Sequence, residues 1–523
     1  MKLARAFSVV ALLTLVSSFL GYVRDAIMAA RFGASMVTDG FFAAFFVPNT
    51  LSLILLSNSV AIVFLPIFVE AFQKDKRNAW RVASILFNLS FWLLSAVVLL
   101  ASITAKFWMP ILYSGFPDST MRLAITLTQI LMPMLLFIGL STIVTSVLNS
   151  FDHFYIPAFA PVLTNIIVIV AIVLSYYWWD IEGVAVAVTL SAIAQLLVQL
   201  PILRRFDGHY SFSLQFRDPL VARIFRLAIP LIIYFAIAYA SQAVERNIAS
   251  SLIVGTVSAM SYAANLFRVP IAIFAGSIGT VIFPRLSLEA ANETNDQFSS
   301  SMSRAIGATT MFLLPLSCWL LINSEMIVNA LFGFGRFSAD DVHLTSIILA
   351  GYAIGMTANG ITRILQRAFY AVQDTVTPVL VEVVSFVVYT ALVILLVRTI
   401  GTLGLGIARS VYFILVALLS FWLLRRHPKA TFEVRQYRLM FGRYFAASAG
   451  ASLVWLGLAW YHGNYPIFAG RLAELVFLGI SAAAGAIVFV IIAYVLKAEE
   501  VEVLAGQTRA SAGKWKARHF PST

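Results

Sequence analysis

The feature that most constrains this chain is a succession of apolar runs, each long enough to cross a bilayer, that fills most of its 523 residues. A helix rises about 1.5 Å per residue, so about 20 apolar residues cover a hydrocarbon core about 30 Å thick. The runs fall at 6–31, 38–71, 82–105, 122–149, 157–177, 182–203, 220–245, 252–284, 303–324, 343–368, 376–397, 402–424, 442–461 and 471–496. Within each run the apolar residues are continuous and do not alternate, which requires helices and excludes a β-barrel. The composition agrees: 61% of residues are hydrophobic and 11% charged, where soluble chains are roughly half apolar and a quarter charged. A water-soluble domain cannot hide that much apolar surface. A soluble enzyme, a disordered scaffold and a disulfide-rich secreted module are excluded. The expected fold class is an all-α polytopic membrane protein with about 14 transmembrane helices.

The first run follows Lys2 and Arg5, as a signal peptide would. It is too long for a signal h-region, and Arg24 and Asp25 follow without a small-residue cleavage site, so it reads as a retained helix. Runs 38–71 and 252–284 are too long for straight spans, and Pro48 and Pro270 are expected to kink or break them. The net charge of +12 does not indicate nucleic acid, because the cations sit in short clusters between apolar runs. One set of alternate loops carries most of them, among them Lys74, Lys76, Arg77, Arg81, Arg204, Arg205, Arg217, Arg223, Arg226, Arg425, Arg426 and Lys429. The opposite set holds few. The positive-inside rule then puts both termini in the cytoplasm. The single cysteine, Cys318, permits no intrachain disulfide and reads as a small core residue.

The two halves repeat at an offset of about 220 residues. Val47-Pro48 matches Val269-Pro270, and the Phe64 to Pro66 stretch matches Phe283-Pro284, with Glu70 near Glu289. Further on, Pro161-Val162-Leu163 matches Pro378-Val379-Leu380, and Leu203-Arg204-Arg205 matches Leu424-Arg425-Arg426. Each repeat spans an even number of helices, so both halves point the same way through the membrane, as in parallel-repeat transporters. The organisation expected is two parallel six-helix lobes, 1–205 and 220–426, joined by a cytoplasmic linker, 206–219. A second linker, 427–441, leads to two appended helices, 442–497, and a basic cytoplasmic tail, 498–523.

Charges at membrane depth are costly and usually face protein or water. Arg24, Asp25 and Asp39 lie in or beside the first two runs, and Glu245, Arg246, Arg268, Glu382 and Arg409 lie in later ones. Arg24 and Asp39 can pair across the helix contact and gate, or lie at the outer interface and snorkel to water. Arg268 precedes Val269-Pro270 and suits an anionic ligand beside a cavity. Arg363 and Arg367, at i and i+4, can meet a phosphate or simply obey the positive-inside rule. GTLGLG at 401–406 opens a span and reads as helix-packing or turn material, not a nucleotide loop. There is no P-loop, paired-Cys metal pattern or catalytic constellation, so the expectation is transport, with no enzymatic activity and no cofactor.

The segment SSFLGYVRDAIMAARFGASMVTDGFFAAFFVPN resembles the opening of the MviN/MurJ family of the MOP exporter superfamily. The resemblance rests on Leu20, Gly21, Arg24 and Asp25; on Phe32, Gly33, Thr38 and Asp39; and on Pro48 and Asn49. LNSFDHFYIPAFAP at 148–161 and GTVIFPRLS at 279–287 extend it. What the resemblance implies is flipping of lipid II, an undecaprenyl-pyrophosphate-linked peptidoglycan precursor, across the bacterial inner membrane by alternating access. It also implies cavity arginines for the pyrophosphate, a groove at the two appended helices for the lipid tail, a functional monomer and proximity to the cell-wall synthesis machinery. In place of family arginines this chain carries Ser18, Ser52, Leu53 and Asn265, with Arg268 a turn beyond the last. The substrate-binding or gating candidates are therefore Arg24, Asp25, Asp39, Asn49, Asn265 and Arg268. The altered cavity leaves two alternatives to lipid II: another polyprenyl-linked glycan, such as an exopolysaccharide or O-antigen unit, or a small molecule exported by the same superfamily. With no nucleotide site, an ion gradient or the membrane potential is the expected energy source.

Overall fold

The computed structural model describes residues 2–175, 179–206, 210–215, 217–292, 294–427, 434–464 and 470–502. Most of the predicted basic tail, with Lys429 and the linker around it, lies outside the described residues. Those described form helices and no strands: α1 (Lys2–Phe32), α2 (Met36–Ser52), a π-helical stretch (Leu53–Val60), α3 (Ala61–Lys74), α4 (Lys76–Leu112), α5 (Asp118–Leu131), α6 (Pro133–Ser150), α7 (Tyr155–Leu174), α8 (Asp180–Leu203) and α9 (Pro219–Ser250). Then follow α10 (Thr256–Ala291), α11 (Asn295–Ile322), α12 (Ser324–Phe332), α13 (Ala339–Ile354), α14 (Met356–Ala371), α15 (Val376–Ile400), α16 (Thr402–Arg425), α17 (Val434–Asn464) and α18 (Arg471–Val495).

Twelve of these helices or helix runs are long and apolar enough to cross a membrane, or thirteen if a bent pair counts as one span. The expected fourteen is thus not reached. The missing span is 442–461, which lies within the 31-residue α17. That helix is long enough, but its Ala, Gly, Ser, Trp and Tyr residues make it less apolar than its neighbours. The bent pair is α13 and α14, which meet at 46° around Gly355. The break has a local cause. The Ser410 hydroxyl on α16 donates to the carbonyl of Gly351, 2.5 Å away, and a Cβ on Gly355 would lie 2.6 Å from the Ser410 Cα. Gly406 packs against Gly351 in the same way and Gly404 against the Leu396 backbone, whereas Gly401, at φ +62°, makes the turn into α16 with no neighbour close by.

The two prolines differ in their effect. Helix α10 runs through both Pro270 and Pro284 without interruption. In the 38–71 run the regular pattern gives way after Pro48, where Leu53–Val60 widens into a π-helix.

The chain divides into two compact units. The first comprises Met1–Ser258 with Phe334–Asp341. Its core runs from Leu56, Phe64 and Phe68 through Trp80, Ile85 and Leu86 to Leu135 and Ile224, and helix α9 packs on α3, α4 and the π segment. The second comprises Ala259–Gly333 and Val342–Thr523. Its core joins Phe298, Met302, Ile364 and Phe369 to Tyr444, Trp455 and Phe489, with Cys318 packed against its edge. Gly485 admits the Trp455 ring, which lets α17 and α18 pack closely.

Candidate functional site: the Arg24 cavity in the first unit

Helices α1 and α7 approach closely at Gly21, where a Cβ would only just touch the Asn165 side chain. One turn on, Arg24 turns inward. Its Nε and Nη2 both donate to Asp25 Oδ1, at 3.0 and 2.8 Å, and its Nη1 donates to Asn165 Oδ1 at 3.2 Å. Asn165 Nδ2 in turn donates to the Ser17 carbonyl at 3.0 Å. The guanidinium is thus aimed by a carboxylate and an amide, yet 31% of its side chain stays exposed. Arg24, Asp25 and Asn49 line a cavity of about 200 Å³, walled on its apolar side by Phe41, Phe42 and Phe45.

From this cavity a run of polar side chains continues between α6, α7 and α8. Thr164 donates to Gln195 Oε1 at 3.3 Å, and Gln195 to Ser141 Oγ at 3.2 Å. Gln199 donates to the same Ser141 Oγ at 2.6 Å, and Thr145 to Gln199 Oε1 at 2.8 Å. In an apolar setting such groups must satisfy one another, and here they do so in sequence. The sequence analysis missed these residues. Two glutamines at i and i+4 inside an apolar run, with an asparagine in the run before, were the signal available.

Asp39 has partners other than Arg24. It does not pair with Arg24. At 4% exposure, its Oδ2 accepts from the Gly255 N–H at 2.6 Å, and its Oδ1 accepts from the Ser258 N–H at 2.8 Å and the Ser258 hydroxyl at 2.6 Å. Those donors are the otherwise orphaned amides at the start of α10, so a carboxylate from α2 caps that helix and meets the positive end of its dipole. Gly255 is required here: its φ is +94°, and a Cβ would lie 2.3 Å from the Ala34 carbonyl oxygen. The neighbouring Thr38 hydroxyl donates to the Gly33 carbonyl at 3.0 Å, which fixes the α1–α2 turn.

Of the two serines at which the resemblance led arginines to be expected, the Ser18 hydroxyl donates to the Thr14 carbonyl at 2.9 Å and the Ser52 hydroxyl to the Asn49 carbonyl at 2.8 Å. Both are absorbed by their own helices. Also in the first unit, the Arg246 guanidinium lies 4.4 Å from the centre of the Phe46 ring, and Glu245 is buried.

Asn265 and Arg268 lie on α10 within the second unit, Asn265 partly buried and Arg268 exposed. That unit contains a larger, apolar groove of about 700 Å³. Phe274, Phe312, Trp319, Trp455, Phe489 and Val490 are among its lining residues. It also holds a buried carboxylate, Glu382, whose Oε1 accepts from the Tyr412 hydroxyl at 2.7 Å. The Arg409 guanidinium lies 4.6 and 5.4 Å from the rings of Tyr389 and Tyr412. Arg367 extends over Gly279 and donates to Thr280 at 3.4 Å.

The fold is that of the MOP superfamily of polytopic transporters. A solved lipid II flippase MurJ in an inward closed conformation superposes with a TM-score of 0.79, covering 93% of this chain and 98% of that one at 23% identity. An inward-facing MATE-family multidrug transporter of the superfamily gives 0.67 over 78% of this chain, at 15% identity. Sequence narrows the assignment. The family model described as lipid II flippase MurJ matches residues 28–472. The lipid II flippase of Burkholderia cenocepacia is 31% identical over 468 residues, which is 88% of this chain and 90% of the relative. A probable lipid II flippase of Thermotoga maritima is 27% identical over 94% of this chain and 96% of its own length. This chain belongs to the lipid II flippase MurJ family.

Proposed function

We propose that this chain flips lipid II, the polyprenyl-pyrophosphate-linked peptidoglycan precursor, from the cytoplasmic to the outer leaflet of the bacterial inner membrane, with both termini in the cytoplasm. The observation that carries the reading, beyond family membership, is Arg24. It is a partly exposed guanidinium whose fork is held on one oxygen of Asp25 at the wall of a largely apolar cavity. Phosphate oxygens match that fork, since Arg binds them through paired N–H donors. Asp25 occupies the donors when substrate is absent. A pyrophosphate oxygen takes its place, and the carboxylate recaptures Arg24 as substrate leaves. This competition limits the affinity, which favours release on the far side. Asn49 lines the same cavity and offers an amide to the headgroup. Arg268, exposed on α10 of the second unit, offers a further cation to an anionic headgroup, with Asn265 one turn before it. The apolar groove of about 700 Å³ suits a prenyl chain, which needs burial and no polar partner.

Alternating access supplies the transport step, with Asp39 and the α10 cap as the element that makes and breaks. The membrane potential is sufficient in sign to drive it. With the inside negative, each negative charge moved outward gains about 2.3 kcal/mol per 100 mV.

The test is complementation of a bacterium depleted of its own lipid II flippase, read as survival and as lipid II remaining in the inner leaflet. This chain is expected to rescue both. Arg24→Ala, confirmed in the membrane, is expected to abolish rescue, and Arg24→Lys to restore only part of it. Failure of the unaltered, membrane-inserted chain would overturn lipid II as substrate. Full rescue by Arg24→Ala would overturn the role of Arg24.

A further inference from the structure

Residues 210–215, in the linker between α8 and α9, are laid as an extended strap along α4. Asn88 Nδ2 donates to the carbonyls of Ser211 and Ser213, at 3.2 and 3.1 Å. Tyr210 donates to Asn88 Oδ1 at 2.6 Å, and the Ser211 N–H donates to Ser84 Oγ at 3.2 Å. Arg81 closes the strap by donating to Gln215 Oε1 at 3.3 Å and Asp218 Oδ2 at 2.9 Å. Arg81, Ser84 and Asn88 lie on one helical face, so α4 carries a polar rail for this segment. The rail uses both donors of the Asn88 amide and its oxygen, and holds Tyr210 against α4. The two apolar side chains beyond it stay open, Phe212 at 70% exposure and Leu214 at 38%.

Their position along the helix identifies the surroundings. Helix α4 has 37 residues and is about 55 Å long, more than a hydrocarbon core requires. Residues 82–90 of α4 are almost wholly buried, and its outward apolar face begins with Phe91, Trp92 and Leu93. Asn88 is thus less than one turn from the start of the lipid-facing belt, and Trp92 is the residue type that favours the headgroup layer. On α9 the change from charged to apolar exposure falls between Arg226 and Leu227. Arg204, Arg205 and Arg217 flank the strap and are exposed. The Phe206 ring stacks on Phe151 at 4.6 Å, which anchors the turn that carries the first two. Asp207 lies outside the described residues.

We propose that residues 210–215 form an anchor in the headgroup layer of an anionic leaflet. Phe212 and Leu214 sit at the acyl boundary, and Arg204, Arg205 and Arg217 contact phospholipid phosphates. Charge complementarity and continuity with the lipid-facing belt of α4 select this occupant over water or protein. The inference is independent of which lipid-linked glycan is transported.

The test uses the full chain in nanodiscs of phosphatidylcholine, with and without phosphatidylglycerol. A spin label is placed at Phe212→Cys in a Cys318→Ser background and compared with labels at Lys76→Cys and Leu100→Cys. Accessibility to oxygen against a water-soluble nickel chelate is expected to place position 212 between the two references. A reading equal to Lys76 would put the strap in water and overturn the proposal. A label shielded from both probes would mean protein covers it, with the same consequence. Leu214→Cys is a second reporter should the first variant fold poorly. The lipids retained on the purified chain test the charge. The unaltered chain is expected to enrich phosphatidylglycerol, and Arg204→Ser/Arg205→Ser/Arg217→Ser to lose several-fold, up to about fivefold for each arginine. Equal retention would overturn the anionic part.

Discussion

Replacing Asp39 by asparagine should loosen the junction of α2 and α10 without removing bulk. The native carboxylate accepts three hydrogen bonds at 2.6 to 2.8 Å from Gly255 and Ser258. An amide has one acceptor oxygen, and its NH2 must face a backbone N–H where Oδ1 or Oδ2 stood. One buried donor is left unsatisfied, at about 1–3 kcal/mol. The negative charge at the helix N-terminus, worth about 0.3–2 kcal/mol, is lost as well. The expected destabilisation is thus about 2–4 kcal/mol. Ser258→Ala removes the hydroxyl donor alone and should cost about 1.5–3 kcal/mol, as for a bond to a charged group. Because both act through one network, the double variant should be less impaired than the sum of the singles. The assay is the apparent melting temperature of the detergent-purified chain, alongside complementation. An Asp39→Asn protein that melts like the unaltered chain, or a strictly additive double variant, would refute the capping argument.

Three further outcomes follow from the packing. Glu382→Leu leaves the buried Tyr412 hydroxyl without its acceptor at 2.7 Å and should destabilise by about 1–3 kcal/mol, read by thermal unfolding, with an unchanged melting temperature counting against that contact. Gln199→Leu deprives Ser141 and Thr145 of a partner at 2.6 and 2.8 Å; a loss of about 1–3 kcal/mol in the same assay is expected, and no change would mean water replaces the amide. Beyond the end of α18, the Glu500 carboxyl accepts from Tyr444 in the space left by Gly307, and burial raises its pKa above the usual carboxylate range. A raised acid favours the fold most at low pH. That contribution declines as pH rises from the ordinary carboxylate value through the raised one. Glu500→Gln should flatten the pH dependence of melting over that interval, and an unchanged profile would exclude Glu500 as its source.

Much of this molecule was legible in its sequence, because apolar runs in a bilayer have few solutions. Backbone groups must be satisfied within each segment, so continuous apolar stretches become helices wherever they occur. Arg24 and Asp39 stood out for the same reason: charge at membrane depth demands a partner. Even the glycines of 401–406 were readable as packing or turn material, borne out by the contact of Gly406 with Gly351 and the turn at Gly401. The helix count was less secure, since α17 spends its length on small and aromatic residues that pack well and score as only weakly apolar.

The sequence by itself determined that the chain is helical, lies in a membrane and carries the residues of its family's opening segment. Tertiary structure decided who partners whom. Arg24 and Asp39, opposite charges in adjacent helices, were an obvious pair on paper. Yet each found closer donors or acceptors: Arg24 the neighbouring Asp25 and Asn165, Asp39 the bare amides that start α10. The same holds for Asn88, whose role depends on a linker far along the chain. Apolar burial is set by local pattern and can be read from it. A hydrogen bond requires direction and contact at about 3 Å, and only the folded chain brings those atoms together.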